Sequence, residues 1–66
     1  MYDSLEDLPM VCRLNLPDDA LLVYRDEFNR AWRRTSRYRA AQDHAWREVR
    51  KRFERDKKTG RWVRKA

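Results

Sequence analysis

The sequence predicts a mainly α-helical fold with two long amphipathic helices, a short N-terminal helix and a small terminal β pair. Only one Gly and two Pro occur in 66 residues, so the chain has few helix breaks. Apolar side chains recur every three to four residues over two long stretches, which is the period of an amphipathic helix. Apolar residues are 41% of the chain, enough for one hydrophobic core, and the length predicts a single domain over residues 1–66.

The N-terminal segment is expected to be short and partly irregular. Residues 1–8 show no helical period and are predicted to be extended or irregular. Pro9 predicts the start of the short helix, because its fixed φ and missing N–H suit the first helical position. Met10, Val11 and Leu14 would form the apolar side of this helix.

The first long helix is predicted from Pro17 to about Arg34. Asp18 and Asp19 fall in its first turn, where the positive end of the helix dipole favours acids. Leu22 and Val23 predict a second buried side, packed against the Pro9 helix. The main buried stripe has helical spacing and consists of Leu21, Tyr24, Phe28, Ala31, Trp32 and Thr35.

The second long helix is predicted from about Arg37 to Asp56, after a break at Thr35 or Ser36 that also offers an N-cap. Each long helix would measure about 27–30 Å, and the short break favours an antiparallel pair. The buried stripe of this helix consists of Tyr38, Ala41, Ala45, Trp46, Val49 and Phe53.

In the C-terminal segment, residues 57–60 are expected to end the second long helix, and a short strand is expected to follow. Gly60 is suited to a positive φ after the helix. Residues 61–64 form a weak strand signal, which we expect to pair near Tyr2. Trp62 on this strand could close the core or be partly exposed. In the first long helix, the side chain of Asn29 is expected to hold a neighbouring segment in place by a hydrogen bond.

The sequence offers no catalytic, metal or cofactor site, so a non-enzymatic protein is expected. His44 has Ala40 and Glu48 at its helical i±4 positions, and Cys12 has no histidine near it in sequence. The single glycine excludes a glycine-rich phosphate loop. The single cysteine favours a reducing compartment. The longest apolar run has only five residues, so we expect a cytoplasmic protein without a signal peptide or a membrane span.

Charge is the strongest functional signal in the chain. Residues 1–29 carry two basic and seven acidic side chains, whereas residues 30–66 carry fifteen basic and four acidic ones. Thirteen of the 17 basic residues are Arg, whose planar fork suits phosphate and carboxylate groups. The alternative is a solvated helix face in which pairs such as Asp43–Arg47 neutralise part of the charge. The predicted anion-binding surface consists of Arg30, Arg33, Arg34, Arg37, Arg39, Arg47, Arg50, Lys51 and Arg55.

A set of mostly apolar and Pro-containing positions recurs over nearly the whole chain. The set consists of Asp7-Leu8-Pro9, Leu16-Pro17, Ala20, Tyr24, Phe28-Asn29, Ala31-Trp32, Ala41, Ala45-Trp46, Val49, Phe53 and Trp62. In order and spacing these residues resemble the ChaB family, and the main departure is a shorter, more basic stretch between Trp32 and Ala41.

The resemblance implies a small non-enzymatic protein with helices and a small β element. The family is named for regulation of a cation antiporter, and viral members have been linked to DNA. The matched positions are mostly apolar, so they indicate a fold more than an activity.

Three functional hypotheses follow. The first is a regulatory module that binds nucleic acid through its phosphate backbone with weak sequence specificity. The second is a regulator of a cation/proton antiporter that docks on an acidic cytosolic protein surface. The third is a structural helper that folds and dimerises. We expect a monomer or weak dimer without a cofactor.

Overall fold

The computed structural model describes residues 2–65 and contains three α-helices, one short 3-10 helix and one two-stranded sheet. The mainly helical prediction is therefore confirmed. In chain order the elements are a 3-10 turn at Leu5–Asp7, α1 at Met10–Asn15, α2 at Asp18–Thr35, α3 at Tyr38–Arg52, β1 at Phe53–Arg55 and β2 at Trp62–Arg64.

Helices α2 and α3 form an antiparallel helical hairpin. Trp46 contacts Tyr24 and Tyr38 contacts Phe28, so later residues of α2 meet earlier residues of α3. The connection is short because Ser36 adopts a left-handed conformation with φ 53° and reverses the chain.

The core lies between the two long helices and is closed by flanking segments. Most of the predicted stripe is buried, but Trp32 and Trp46 are only half-buried and Thr35 and Tyr38 are exposed. The buried apolar residues are Leu8, Cys12, Leu16, Ala20, Leu21, Tyr24, Phe28, Ala31, Ala41, Ala45, Val49 and Phe53.

The C-terminal region differs from the sequence prediction in two ways. Helix α3 ends at Arg52 rather than near Asp56, and β2 pairs with β1 rather than with residues near Tyr2. The pairing is antiparallel and places Phe53 opposite Arg64. Competition from this strand pair ends the helix, although Phe53 remains buried as predicted.

A tight turn closes the strand pair. The Asp56 N–H donates to the Arg61 carbonyl and the Gly60 N–H donates to the Asp56 carbonyl, each over 2.7 Å. Gly60 has φ 75°, which confirms the positive φ expected there.

The N-terminal helix buries a different side from the one predicted. Leu8, Cys12 and Leu16 recur every four residues and point into the core. In a helix of only six residues the remaining faces stay in solvent, and the apolar side expected at Met10, Val11 and Leu14 is exposed. The predicted burial of Leu22 was also wrong, because this side chain is exposed, while Val23 packs partly against the core.

Asn29 fastens the start of the chain to α2. Its Oδ1 accepts a hydrogen bond from the Tyr2 N–H over 2.9 Å, and its Nδ2 donates to the Tyr2 carbonyl over 2.8 Å. The two bonds hold the Tyr2 ring against Phe28, with 4.8 Å between ring centroids. The anchoring role expected for Asn29 is therefore confirmed.

Asn29→Ala is expected to lower the free energy of unfolding by about 1–3 kcal/mol, because two partly buried hydrogen bonds are lost. Urea unfolding followed by circular dichroism measures this change. Asn15→Ala is the matched control, since exposed Asn15 also lies in a helix but bonds only to the Val11 carbonyl within its own helix. The control should change stability by less than about 0.5 kcal/mol. Equal losses in the two variants would contradict the anchoring role.

Candidate functional site

Five arginines surround the turn between the two long helices. Arg30, Arg33 and Arg34 lie in the last turns of α2, and Arg37 and Arg39 lie at the start of α3. We call these five residues the tip arginines; all five are exposed.

Most of the tip arginines have no acidic partner in the part of the chain that the structure describes. The Arg30 Nη1 lies 3.7 Å from Glu27 Oε2, which is a loose contact. Within residues 2–65, no carboxylate oxygen lies within 4.0 Å of the guanidinium nitrogens of the others: Arg33, Arg34, Arg37 and Arg39. Among residues 2–65, four guanidinium charges at this end are thus uncompensated by close ion pairs.

The helix dipole of α3 adds to the positive charge of the tip arginines. The N-terminus of a helix carries partial positive charge from its free N–H groups. Arg37 occupies the N-cap of α3 and makes no side-chain capping bond, and the first turn contains no acid among the described residues. Peptide N–H groups and guanidinium groups therefore face solvent together at the tip, an arrangement that favours an anion.

A polar groove of about 470 Å³ runs beside the tip where the N-terminal segment crosses α2. Its lining has mixed charge, since Asp3 and Asp26 lie with Arg25, Arg30 and Arg33. Arg25 is engaged there, with its Nε 3.1 Å from Asp26 Oδ1. Of the four arginines without a close carboxylate among residues 2–65, only Arg33 lines this groove, so most of that charge lies toward the interhelix turn.

The outer face of α3 carries the next three predicted basic residues. Arg47 has no close carboxylate within the described part of the chain, and Arg50 lies over the Trp46 ring at 6.0 Å from its centroid. Lys51 is engaged differently, because its Nζ lies 2.8 Å from Glu48 Oε2. The hydrogen bond from Lys51 is the main reason that the pKa of Glu48 lies below its ordinary value.

Arg55 lies far from the tip, at the opposite end of α3. Its Nε donates to the Gly60 carbonyl over 3.2 Å, across the turn of the strand pair. Helix α3 spans about 22 Å between the two ends, so the nine predicted residues do not form one compact patch. The structure brings the tip arginines together, continues them along α3 through Arg47 and Arg50, and places Arg55 in the strand pair.

The other titratable candidates make structural contacts. His44 Nε2 lies 2.9 Å from Glu27 Oε1 and links α3 to α2. Cys12 is fully buried, and its burial raises the pKa of the thiol, which disfavours the reactive thiolate. Among residues 2–65, no three His, Cys, Asp or Glu side chains are placed to share a metal ion.

Sequence reasoning missed a groove beside Trp46. It has a volume of about 460 Å³ and is lined by Gln42, Asp43, Trp46, Arg47 and Arg50. Trp46 was expected to be a core residue, but it is only half-buried. The four-residue spacing from Trp46 to Arg50 is the signal that could have revealed a guanidinium beside an exposed indole face.

The chain is a small basic helical domain: a two-helix hairpin with exposed arginines at its tip, closed by a short strand pair. The chain belongs to the ChaB family, whose family model matches residues 8–65. It is similar to the solution NMR structure of the putative cation transport regulator ChaB, with 26% sequence identity and a TM-score of 0.85 over 100% of both chains. No curated protein matches the chain.

None of the helices within residues 2–65 is both long and apolar enough to cross a lipid bilayer.

Proposed function

We propose that this protein is a non-catalytic regulatory module whose tip arginines bind the phosphate backbone of nucleic acid. The observation that carries the proposal is the group of four exposed guanidiniums without a carboxylate partner among residues 2–65: Arg33, Arg34, Arg37 and Arg39. A structural salt-bridge network would have paired these groups. Their exposure instead leaves their hydrogen-bond donors available to a partner.

Phosphate fits this surface better than a neutral ligand does. A guanidinium donates two parallel hydrogen bonds to two phosphate oxygens, and the positive end of the α3 dipole adds attraction. The tip has no recognised base-reading motif, so affinity would come mainly from release of counterions from the nucleic acid. Binding would therefore be weakly specific for sequence.

The salt dependence of binding tests this proposal. Four phosphate contacts predict that log K falls against log salt concentration with a slope of about −3.6 on duplex DNA. Fluorescence anisotropy with a labelled duplex of random sequence, between about 50 and 200 mM salt, measures that slope. A dissociation constant of about 1–100 μM at physiological salt would match non-specific binding. Absence of binding at low salt, or tight binding without a slope, would contradict the proposal.

A second candidate function is favoured by the name of the similar structure, a cation transport regulator. The same tip arginines could dock on an acidic cytosolic surface of an antiporter, because surface carboxylates attract guanidinium groups as phosphates do. A pull-down from nuclease-treated membranes separates the two functions. Recovery of one transport protein, lost when the tip charges are reversed, would favour this second function over nucleic-acid binding.

A further inference from the structure

The groove beside Trp46 combines an aromatic surface with two arginines, Arg47 and Arg50. We call it the indole groove; its lining residues are Gln42, Asp43, Trp46, Arg47 and Arg50. Neither Arg47 nor Arg50 has a carboxylate oxygen within 4.0 Å among the described residues. The groove lies on the solvent side of α3, which also carries Arg39 toward the tip.

The indole of Trp46 is fixed on its inner side. The Tyr24 ring meets it in a T-shaped contact at 5.4 Å, and the Trp62 ring lies 6.0 Å away at 45°. These contacts orient the indole without burying it fully, so part of its surface faces the groove. A partner would therefore meet an aromatic surface that is already oriented, and little ordering entropy would be lost on binding.

We infer that the indole groove stacks an unpaired nucleobase of single-stranded nucleic acid on Trp46. This inference rests on the proposed function and names the form of nucleic acid that the protein prefers. Every base has a flat π-face that stacks on an indole, but in a duplex these faces are already covered by neighbouring base pairs. A duplex can thus use only the arginines, whereas a single strand can use the arginines and Trp46.

The charged residues of the indole groove determine where the bound single-stranded nucleic acid would lie. The Arg50 guanidinium, 6.0 Å from the indole centroid, marks the position that a base would take. Arg50 is exposed and can move onto the adjoining phosphate, where it joins Arg47. Asp43 also lines the groove and repels phosphate, so the backbone is expected on the Arg47 and Arg50 side.

Oligothymidylate and a random-sequence duplex of equal length are the probes, compared by fluorescence anisotropy at one salt concentration. The wild-type protein is expected to bind the single strand about tenfold more tightly, which is within the range of one base–aromatic stack. Trp46→Leu is expected to reduce this preference to less than about twofold and to leave duplex affinity unchanged. Trp32→Leu, the matched loss of another half-buried tryptophan, should keep the preference.

Trp46→Phe keeps the inference testable if Trp46→Leu does not fold. A phenyl ring also stacks, so this variant should retain the preference for the single strand while losing most of the quenching of tryptophan fluorescence by oligothymidylate. Unchanged quenching would overturn the stacking role of Trp46.

The outcomes also separate this inference from the proposed function. Equal affinity of wild-type protein for the two probes overturns the inference and leaves phosphate binding intact. A preference that survives in folded Trp46→Leu overturns it as well. Absence of binding to both probes at low salt overturns the inference and the proposed function together.

Discussion

Phe28→Ala is expected to lower the free energy of unfolding by about 3–5 kcal/mol, because a large aromatic side chain is removed from a closed core. A domain of 66 residues has a total stability of about 3–10 kcal/mol. The variant should therefore be close to unfolded, or unfolded, at room temperature.

The position of Phe28 explains why this effect is among the largest in the molecule. Its side chain is fully buried, and its ring centroid lies 4.8 Å from that of Tyr2 and 5.4 Å from that of Tyr38. Along α2, Tyr24 lies four residues before Phe28 and Trp32 four residues after it, with ring centroids 6.1 Å and 6.3 Å from that of Phe28. Phe28 thus joins the N-terminal segment, α2 and α3 at one point.

Urea unfolding followed by circular dichroism measures the loss. Phe28→Leu is the control, since it removes the aromatic contacts but keeps most of the apolar volume, and it should cost less than about 1.5 kcal/mol. A loss below about 1 kcal/mol in Phe28→Ala would mean that the ring cluster does not hold the fold together.

The helical hairpin could be predicted from the sequence because its signals are local. Apolar spacing marked both long helices, and Pro17 and the Thr35–Ser36 break marked their limits within a few residues. The degree of burial was harder to predict. Trp46 shares the buried stripe of α3, yet solvent reaches it because its large ring extends beyond the packed surface of the hairpin.

The sequence predicted the C-terminal strand at residues 61–64, and β2 lies at Trp62–Arg64, but the partner strand could not be located for a physical reason. Phe53 continues the helical spacing from Val49, so the local pattern favours a longer helix. The strand depends on pairing with Trp62–Arg64 across a turn, which is a contact between separate segments. The predicted pairing near Tyr2 was wrong: β2 pairs with β1, and the Tyr2 backbone N–H and carbonyl bond to the Asn29 side chain.

The candidate site was predictable in composition but not in arrangement. The arginines around the helix break could be predicted to face solvent, because few acidic residues lie three or four positions from them to form ion pairs. Tertiary packing decides which basic residues form ion pairs with a carboxylate. For example, the Arg64 Nε lies 2.9 Å from Asp19 Oδ2, although the two residues are 45 positions apart in the sequence. Arg55 was predicted on the second helix with Arg47, Arg50 and Lys51, but α3 ends at Arg52 and Arg55 lies in β1.

Charge reversal at the tip is the second large effect that we expect. Replacing both Arg33 and Arg37 by Glu removes two of the four tip guanidiniums that have no close carboxylate within residues 2–65. At about 0.1 M salt, the loss of two phosphate contacts weakens duplex binding by about 50-fold or more and makes the salt slope less steep by about 2. Neither side chain has a close carboxylate partner among residues 2–65, so the fold should persist, as circular dichroism can verify.

A matched variant separates the effect of the tip from that of net charge. Replacing Lys57 and Lys58 by Glu changes the net charge from +6 to +2, as the tip reversal does. Both lysines are exposed in the turn of the strand pair, at the other end of α3. This reversal weakens only the long-range attraction, which salt screens beyond about 10 Å at 0.1 M. A loss of less than about fivefold is therefore expected.

The ratio of duplex affinities between these two double variants, measured by anisotropy at one salt concentration, tests the central claim most directly. If the tip arginines hold the phosphate backbone, the Arg33 and Arg37 reversal binds about tenfold or more weakly than the Lys57 and Lys58 reversal. Equal losses in the two variants would show that net charge alone attracts the nucleic acid and would contradict a binding site at the tip.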